Sequence, residues 1–424
     1  MNRVFMVAGR RTSISPKGGA LANVPFHELA ATAAKALMAD ADVSAEQIDG
    51  FFLGNALAAG GNPARVAALA SGLPYQVPAW SIDTQCSSGL DAISLAVDRI
   101  RAGNANVLLA GGAESASQAP QRSKPMHVAK LAQPSERELG GVRAALTSTA
   151  PRDYSWVPYD EADFTPWSEQ EPSMVESARA LSGQLGDLEA EYAWAVRSHE
   201  RARASIHPER IGARAASKRT THGGSEDIQD AYTRALTAQA CQRAASHPIH
   251  NPTTMAPLAD GAAMVLLMSE RALDEWQRSE GRDGLLPANG TDPVLDYKSK
   301  VTPVCEVLSS RQAGADPFAP GLSTAALKNW LDQLRADHGE PACLELMESF
   351  AAQAILNIRA LALDSRRVNV GGGLLAMGHP IGASGAVLVA RLHHRLRPGE
   401  WGAALIPAAG GLASGIALWG IDAK

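Results

Sequence analysis

Two stretches far apart in the chain follow one pattern, and that repetition narrows the folds open to it. The first, Ile82-Asp83-Thr84-Gln85-Cys86-Ser87-Ser88-Gly89-Leu90-Asp91, reads as a strand end, a cramped turn bearing a cysteine, and the start of a helix. Leu90, Ile93, Val97 and Ile100 then share one helical face, and the apolar strand Val107-Leu108-Leu109-Ala110 ends in Gly111-Gly112. The second, Gly378-His379-Pro380-Ile381-Gly382-Ala383-Ser384-Gly385, opens a helix with Val387, Leu388 and Leu392. Ala403-Ala404-Leu405-Ile406 and the pair Gly410-Gly411 follow it. The spacing from Gly89 to Gly111 is close to that from Gly385 to Gly410. Such self-similarity predicts an internal duplication, with two α/β halves bringing Cys86 and His379 to related turns.

The rest of the chain fits an α/β sheet covered on its faces. Residues 4–8 read as a strand, Phe26 to Met38 as an alanine-rich helix, and Phe51 to Asn55 as a second strand after a Ser44-Ala45-Glu46-Gln47 cap signal. Residues 62–70 read as a helix with Pro63 in its first turn, where a missing N–H is harmless. From about Pro120 to His250 the character changes to mixed charge and frequent proline. Tyr154, Trp156, Tyr159, Phe164 and Trp167 cluster there, as a lid or binding wall or simply as the packing of an inserted subdomain. Between Arg197 and Arg219, the basic Arg197, Arg201, Arg203, Arg210, Arg214, Lys218 and Arg219 face only Glu200 and Glu209. That run suits the phosphates of a nucleotide-bearing cofactor or an acidic carrier protein, and equally a solvated helix face. Strand character resumes at Ala259 to Met268. Residues 270–340 are polar and punctuated by Gly and Pro, with helices expected near 270–279 and 322–337, and Leu344 to Asn357 begins as a strand and turns helical. The expected organisation is 1–120 plus 251–270 as one half, 121–250 as an insertion, and 271–424 as the other half.

Several classes are excluded by composition. A net charge of −5 argues against wholesale nucleic-acid binding. There is no apolar run long enough to span a bilayer, and Met1 to Ala8 is too short for a secretory signal. The four cysteines, Cys86, Cys241, Cys305 and Cys343, form no C-x-x-C pair, so neither a disulfide framework nor a metal site is expected. A reduced, cytoplasmic location follows as an expectation.

Cys86 is the candidate nucleophile. Gly89 and the flanking serines let backbone and ligand approach closely. Unpaired N–H groups at a helix start are expected to lower the thiol pKa and favour the thiolate. The alternative is an inert, buried cysteine.

The motifs, taken together, resemble the thiolase family over nearly the whole chain. They are Asn62-Pro63-Ala64-Arg65, Cys86-Ser87-Ser88-Gly89-Leu90, Ala110-Gly111-Gly112-Ala113-Glu114-Ser115, Asp260-Gly261-Ala262-Ala263, Glu348-Ser349-Phe350-Ala351-Ala352-Gln353, and the most specific, Gly378-His379-Pro380-Ile381-Gly382-Ala383-Ser384-Gly385. The resemblance implies a five-layered αβαβα fold from two similar halves, a lid-like insertion, and a homodimer or homotetramer. It implies that Cys86 takes an acyl group from a thioester, carried by coenzyme A or by an acyl carrier protein, that His379 activates it, and that the backbone N–H groups of Cys86 and Gly411 form the oxyanion hole.

Departures from the family pattern bear on the second half-reaction. The family's C-x-G-G-G-x-G run reads Ala409-Gly410-Gly411-Leu412-Ala413-Ser414-Gly415, so the second cysteine is Ala409. Its N-E-A-F motif reads Met347-Glu348-Ser349-Phe350, and methionine cannot hold the water that the asparagine would. Gly371 replaces an asparagine, and the S-G-x-N-D-G-A loop reads Ala256-Pro257-Leu258-Ala259-Asp260-Gly261-Ala262. Three functions are compatible with this pattern. One is an acyltransferase or condensing enzyme with an atypical acceptor, where His379 or Glu348 serves as acid/base. The second is a conventional acetyl-CoA C-acyltransferase or 3-ketoacyl-CoA thiolase using His379 alone. The third is an inactive subunit supporting a partner protein. No bound cofactor is expected in any of them.

Overall fold

The structure, a computed structural model, describes residues 2–58, 60–125, 156–159, 163–166, 172–211, 230–246, 251–278 and 304–421. Its strands are β1 (Val4–Arg11), β2 (Ser15–Pro16), β3 (Gly50–Gly54), β4 (Ala79–Ile82), β5 (Val107–Ser115), β6 (Arg122–Pro125), β7 (Trp156–Tyr159), β8 (Ala259–Ser269), β9 (Val304–Gly314), β10 (Cys343–Leu346), β11 (Trp401–Ala408) and β12 (Leu412–Ile421). The main sheet runs β10-β11-β12-β9-β1-β8-β5-β3-β4, with β2 pairing β8 and with β6 and β7 pairing apart from it.

The duplication is visible in the pairing. In the first half β3 is parallel to β5, β5 antiparallel to β8, and β8 antiparallel to β1. In the second, β10 is parallel to β11, β11 antiparallel to β12, and β12 antiparallel to β9. The halves meet where β1 and β9 share a short antiparallel contact. A helix of the same kind precedes the matching strands: α3 (Ser88–Arg101) leads into β5, and the Ser384–His393 helix leads into β11.

Strand alternation sorts the core into layers, because successive side chains point to opposite faces. Met6, Phe52, Leu108, Ala110, Val265 and Leu267 face one cluster with Ile93, Val97, Val387 and Leu388 of the paired helices, and with Ala404, Ile406 and Ile416 of the second half. Their strand neighbours Phe5, Phe51, Leu53, Leu109 and Leu266 face outward onto α1 (Phe26–Ala41) and α2 (Pro63–Ala70). In the second half, Leu344, Leu346, Ala403 and Leu405 pack on Leu331, Leu334, Ala354 and Ile358 of the outer helices. The order is therefore helix, sheet, central helix pair, sheet, helix, the five layers expected.

The central helices approach too closely for side chains at their first turns. A Cβ on Gly89 would lie 2.7 Å from the Gly382 carbonyl oxygen, and one on Gly385 would lie 2.7 Å from Leu90 Cβ. The glycine in each Ser-Gly pair is thus set by helix packing.

One element corrects the sequence reading. Part of the polar stretch 270–340 forms the long strand β9, which lies between β12 and β1. Only its first residues, Val304, Cys305 and Val307, are deeply buried apolar groups. The remainder, Ser309-Ser310-Arg311-Gln312, holds its place through backbone pairing to β12, which hydropathy does not report.

Candidate active site

Cys86 sits in a 3₁₀ turn, Gln85–Ser87, between β4 and α3. Gln85 takes φ 57°, a left-handed conformation uncommon outside glycine, and its N–H donates to Asp83 Oδ1 at 3.0 Å. That sharp turn leaves the Cys86 side chain half-buried. The matching 3₁₀ turn of the second half, Ile381–Ala383, follows His379 and runs into the Ser384–His393 helix. The two turns meet, and His379 Nε2 lies 3.2 Å from Cys86 Sγ.

His379 is buried and fixed on every side. Its N–H donates to the Pro257 carbonyl at 2.8 Å, its carbonyl accepts the Ala259 N–H at 3.2 Å, and Nδ1 lies 2.6 Å from Ser384 Oγ. The altered Ala256–Ala262 loop thus orients the histidine through backbone groups. Its Asp260 carboxylate in turn accepts the Ser117 N–H at 2.8 Å and the Ser117 hydroxyl at 2.5 Å.

Burial governs the protonation of this pair. It lowers the His379 pKa to about 4, so the ring is neutral at pH 7. It raises the Cys86 thiol to about 12, and the amides of Ala409 and of Cys86 itself offset this only in part, while Glu114 and Asp83 add to the rise. The expected helix-start thiolate is therefore corrected: in the resting site a neutral thiol faces a neutral imidazole. For Nε2 to accept the thiol proton, the ring hydrogen must be on Nδ1, toward Ser384 Oγ. The arrangement suits proton transfer at the moment of attack.

The other sequence candidates fall at different places. The Ala409 amide, in the turn between β11 and β12, is among the groups that hold the Cys86 thiol pKa down. Gly411, where the second oxyanion donor was expected, has φ 74°; a Cβ there would lie 2.5 Å from the Ala315 carbonyl oxygen, and its own carbonyl accepts the Ala315 N–H at 2.7 Å. Met347 is wholly buried in the central core, its N–H donating to the Leu405 carbonyl at 2.9 Å.

Glu348 is buried and hydrogen-bonded to groups other than Cys86 and His379. Its Oε1 accepts Trp194 Nε1 (3.1 Å) and Asn369 Nδ2 (2.6 Å), and its Oε2 accepts Ser198 Oγ (2.8 Å). With both oxygens committed it ties the Leu188–Ala204 helix to the second half, which fits a structural role better than an acid/base one.

In the basic run, Arg197 stacks on Trp194 at 3.8 Å and Arg201 Nη1 donates to the Val368 carbonyl at 2.7 Å, so these two serve internal contacts. Arg214, Lys218 and Arg219, like Tyr154 and Trp167, lie outside the described residues. Of the aromatics, Phe164 reaches the site region, since a Cβ on Gly410 would lie 3.4 Å from its carbonyl oxygen.

Two carboxylates escaped the sequence reading. Glu114, buried on β5, accepts Asn55 Nδ2 (2.9 Å), the Ala56 and Leu57 N–H groups (3.0 and 3.2 Å) and the Gly382 N–H (3.0 Å). Burial raises its pKa to about 7 against the pull of those amides. It thereby bonds the first half to the His379 turn. Asp91, on α3, accepts the hydroxyls of Thr84 (2.5 Å), Ser87 (3.0 Å) and Ser414 (2.6 Å). Glu114 carried a signal, an acid closing an otherwise apolar strand, whereas Asp91 looked like an ordinary helix-start acid.

A sheet pairing repeated in two halves, with a cysteine from one turn and a histidine from the other in contact, is the arrangement that the thiolase resemblance implied. The family comparison agrees: the thiolase N-terminal domain matches residues 4–151 and the thiolase C-terminal domain residues 301–419. The chain belongs to the thiolase family and is an acyltransferase. It is 31% identical to an acetyl-CoA acetyltransferase of Cupriavidus necator over 447 residues, covering 99% of both chains. It is 32% identical to one from Pseudomonas aeruginosa over 406 residues, covering 94% of both. Among solved structures, the Acat5 thiolase of Ascaris suum in complex with coenzyme A superposes with a TM-score of 0.77 at 25% identity, over 99% of this chain and 100% of that one.

Proposed function

We propose that the enzyme takes an acyl group from a coenzyme A thioester onto Cys86 and passes it to a second acyl-CoA, with His379 moving the proton in both steps. The observation that carries this reading is the 3.2 Å contact between Cys86 Sγ and His379 Nε2, a neutral pair poised for transfer. Attack of the sulfur on the thioester carbonyl gives up the thiol proton to Nε2, and collapse releases coenzyme A, which takes that proton back. We assign the oxyanion that forms at the carbonyl to the Cys86 and Gly411 N–H groups, the pair that the family resemblance implies. The acetyl-CoA acetyltransferases among the relatives favour a conventional carbon–carbon acceptor.

A second reading, transfer to a different acceptor such as a carrier-bound group, is favoured by Ala409, which offers no acid/base side chain to the acyl α-carbon, and by Met347, which cannot hold the water that an asparagine would. Thiolysis of acetoacetyl-CoA by coenzyme A separates the two. Turnover supports the conventional reading, and an acyl-Cys86 that forms without thiolysis supports the second. In the second case Ala409→Cys is expected to raise thiolysis by roughly 10²-fold or more, the usual worth of a positioned acid/base.

We further propose a homodimer through the edge strand β4, near which Val66, Leu69, Tyr75 and Leu95 are exposed. A reducing cytoplasm suits four free cysteines, three of them buried. The division into 1–120 with 251–270, 121–250, and 271–424 is supported by the return of β8 to pair with β1 and β5. Among the described residues no helix is long and apolar enough to cross a membrane.

A further inference from the structure

The junction between the Cys86 turn and the strands β11 and β12, which carry the Ala409 turn, joins opposite halves of the chain. Asp91 spans that junction. It sits one turn into α3, buried, with Oδ2 accepting the Thr84 and Ser87 hydroxyls that flank the nucleophile turn. Its other oxygen, Oδ1, accepts the Ser414 hydroxyl at 2.6 Å. Ser414 is equally buried and lies on β12, paired with Ile406 of β11, just beyond the turn that carries Ala409. The Thr84 N–H donates in turn to Ser88 Oγ at 2.9 Å, closing the turn on itself. One carboxylate therefore holds the residues on both sides of Cys86 and the strand that follows the Ala409 turn.

We propose that Asp91 is a positioning residue for acyl loading, and that its bond to Ser414 sets the distance between the Cys86 turn and the Ala409 amide. The inference rests on the loading role of Cys86 given above. A misplacement of about 1 Å between reacting groups costs roughly 10²-fold in rate. Ser414→Ala removes only the bond to β12. Asp91→Asn keeps an oxygen for Thr84 and Ser87 and can donate to Ser414 Oγ, so it serves as the conservative rescue.

Two readouts on the full-length protein decide the matter. The first is the rate at which acetyl-CoA acylates Cys86, followed by mass spectrometry. The second is the rate of Cys86 alkylation by iodoacetamide as a function of pH, which needs no acyl substrate. In Ser414→Ala, acylation is expected to slow by roughly 10- to 100-fold. Alkylation at a fixed alkaline pH is expected to slow as well, because the Ala409 amide no longer stabilises the thiolate. Asp91→Asn is expected to recover most of both, and Asp91→Ala neither. An alkylation profile of Ser414→Ala that overlays the wild type overturns the proposal, whatever the melting temperature does. If the wild type is acylated by no acyl-CoA, the loading role itself fails, and the alkylation profile still decides whether Asp91 holds the amide in place.

Discussion

In the Cys86 turn the residue before the nucleophile is Gln85, with φ 57°; in the second half the base, His379, stands just ahead of the matching turn, and the residue before it is Gly378, with φ 115°. Gln85 tolerates its conformation because Asp83 Oδ1 accepts both its backbone N–H and its side-chain Nε2. Gly378 has no room for a side chain: a Cβ there would lie 2.9 Å from Ala259 Cβ and 3.2 Å from Ile14. The nucleophile is half-buried and open to a substrate, while the base is enclosed. Each turn is also clamped across the duplication. Asp91 of the first half holds Ser414 of the second, and Glu114 of the first half holds the Gly382 amide beside the histidine. A duplicated scaffold thus supplies two related turns, with the nucleophile inside one and the neutral base just ahead of the other.

Breaking either turn should have unequal consequences. Cys86→Ala is expected to abolish acyl transfer, a loss of roughly 10⁴-fold or more by analogy with removal of other nucleophiles, measured as steady-state turnover. His379→Ala is expected to slow loading of Cys86 by ~10²–10⁴, with the thiol retained and still alkylated in the unfolded protein. Glu114→Ala acts on the clamp: it leaves the Asn55 amide and the Ala56, Leu57 and Gly382 N–H groups short of an acceptor. Each buried unsatisfied donor costs about 1–3 kcal/mol, so with four donors affected a stability loss of at least about 4 kcal/mol is expected in denaturant titrations.

The smallest effect is one of pH. The His379 pKa is about 4 in the folded chain, below the ordinary histidine value, so the unfolded chain binds the extra proton first as pH falls. Stability from this residue is complete above about pH 6.5 and declines toward pH 4. The acid limb of Cys86 loading should likewise fall near pH 4, and a limb near pH 6.5 would show that the ring is not desolvated as described.

Local pattern was enough to find the two turns, because glycine pairs, helical spacing and apolar strands are written in neighbouring residues. It was not enough to set the thiol's protonation. The helix start and its amides favour the thiolate, but the protein packed around Cys86 from both halves penalises charge more, and that packing is a long-range property. The same limit explains Asp91 and Glu114, whose partners Ser414 and Gly382 lie hundreds of positions away in the sequence. It also explains β9, whose polar residues are held by backbone pairing. Glu348 attracted attention by its place in a motif, yet its oxygens are taken up by Trp194, Ser198 and Asn369.

The central claim is that Cys86 is loaded through His379. It is tested most directly by incubating the full-length protein with acetyl-CoA and a panel of longer acyl-CoA thioesters, then mapping acyl-modified peptides by mass spectrometry. The account predicts an acyl adduct on Cys86, absent in Cys86→Ala and slow to form in His379→Ala. An adduct on another residue, or none on Cys86 with any thioester, would contradict it.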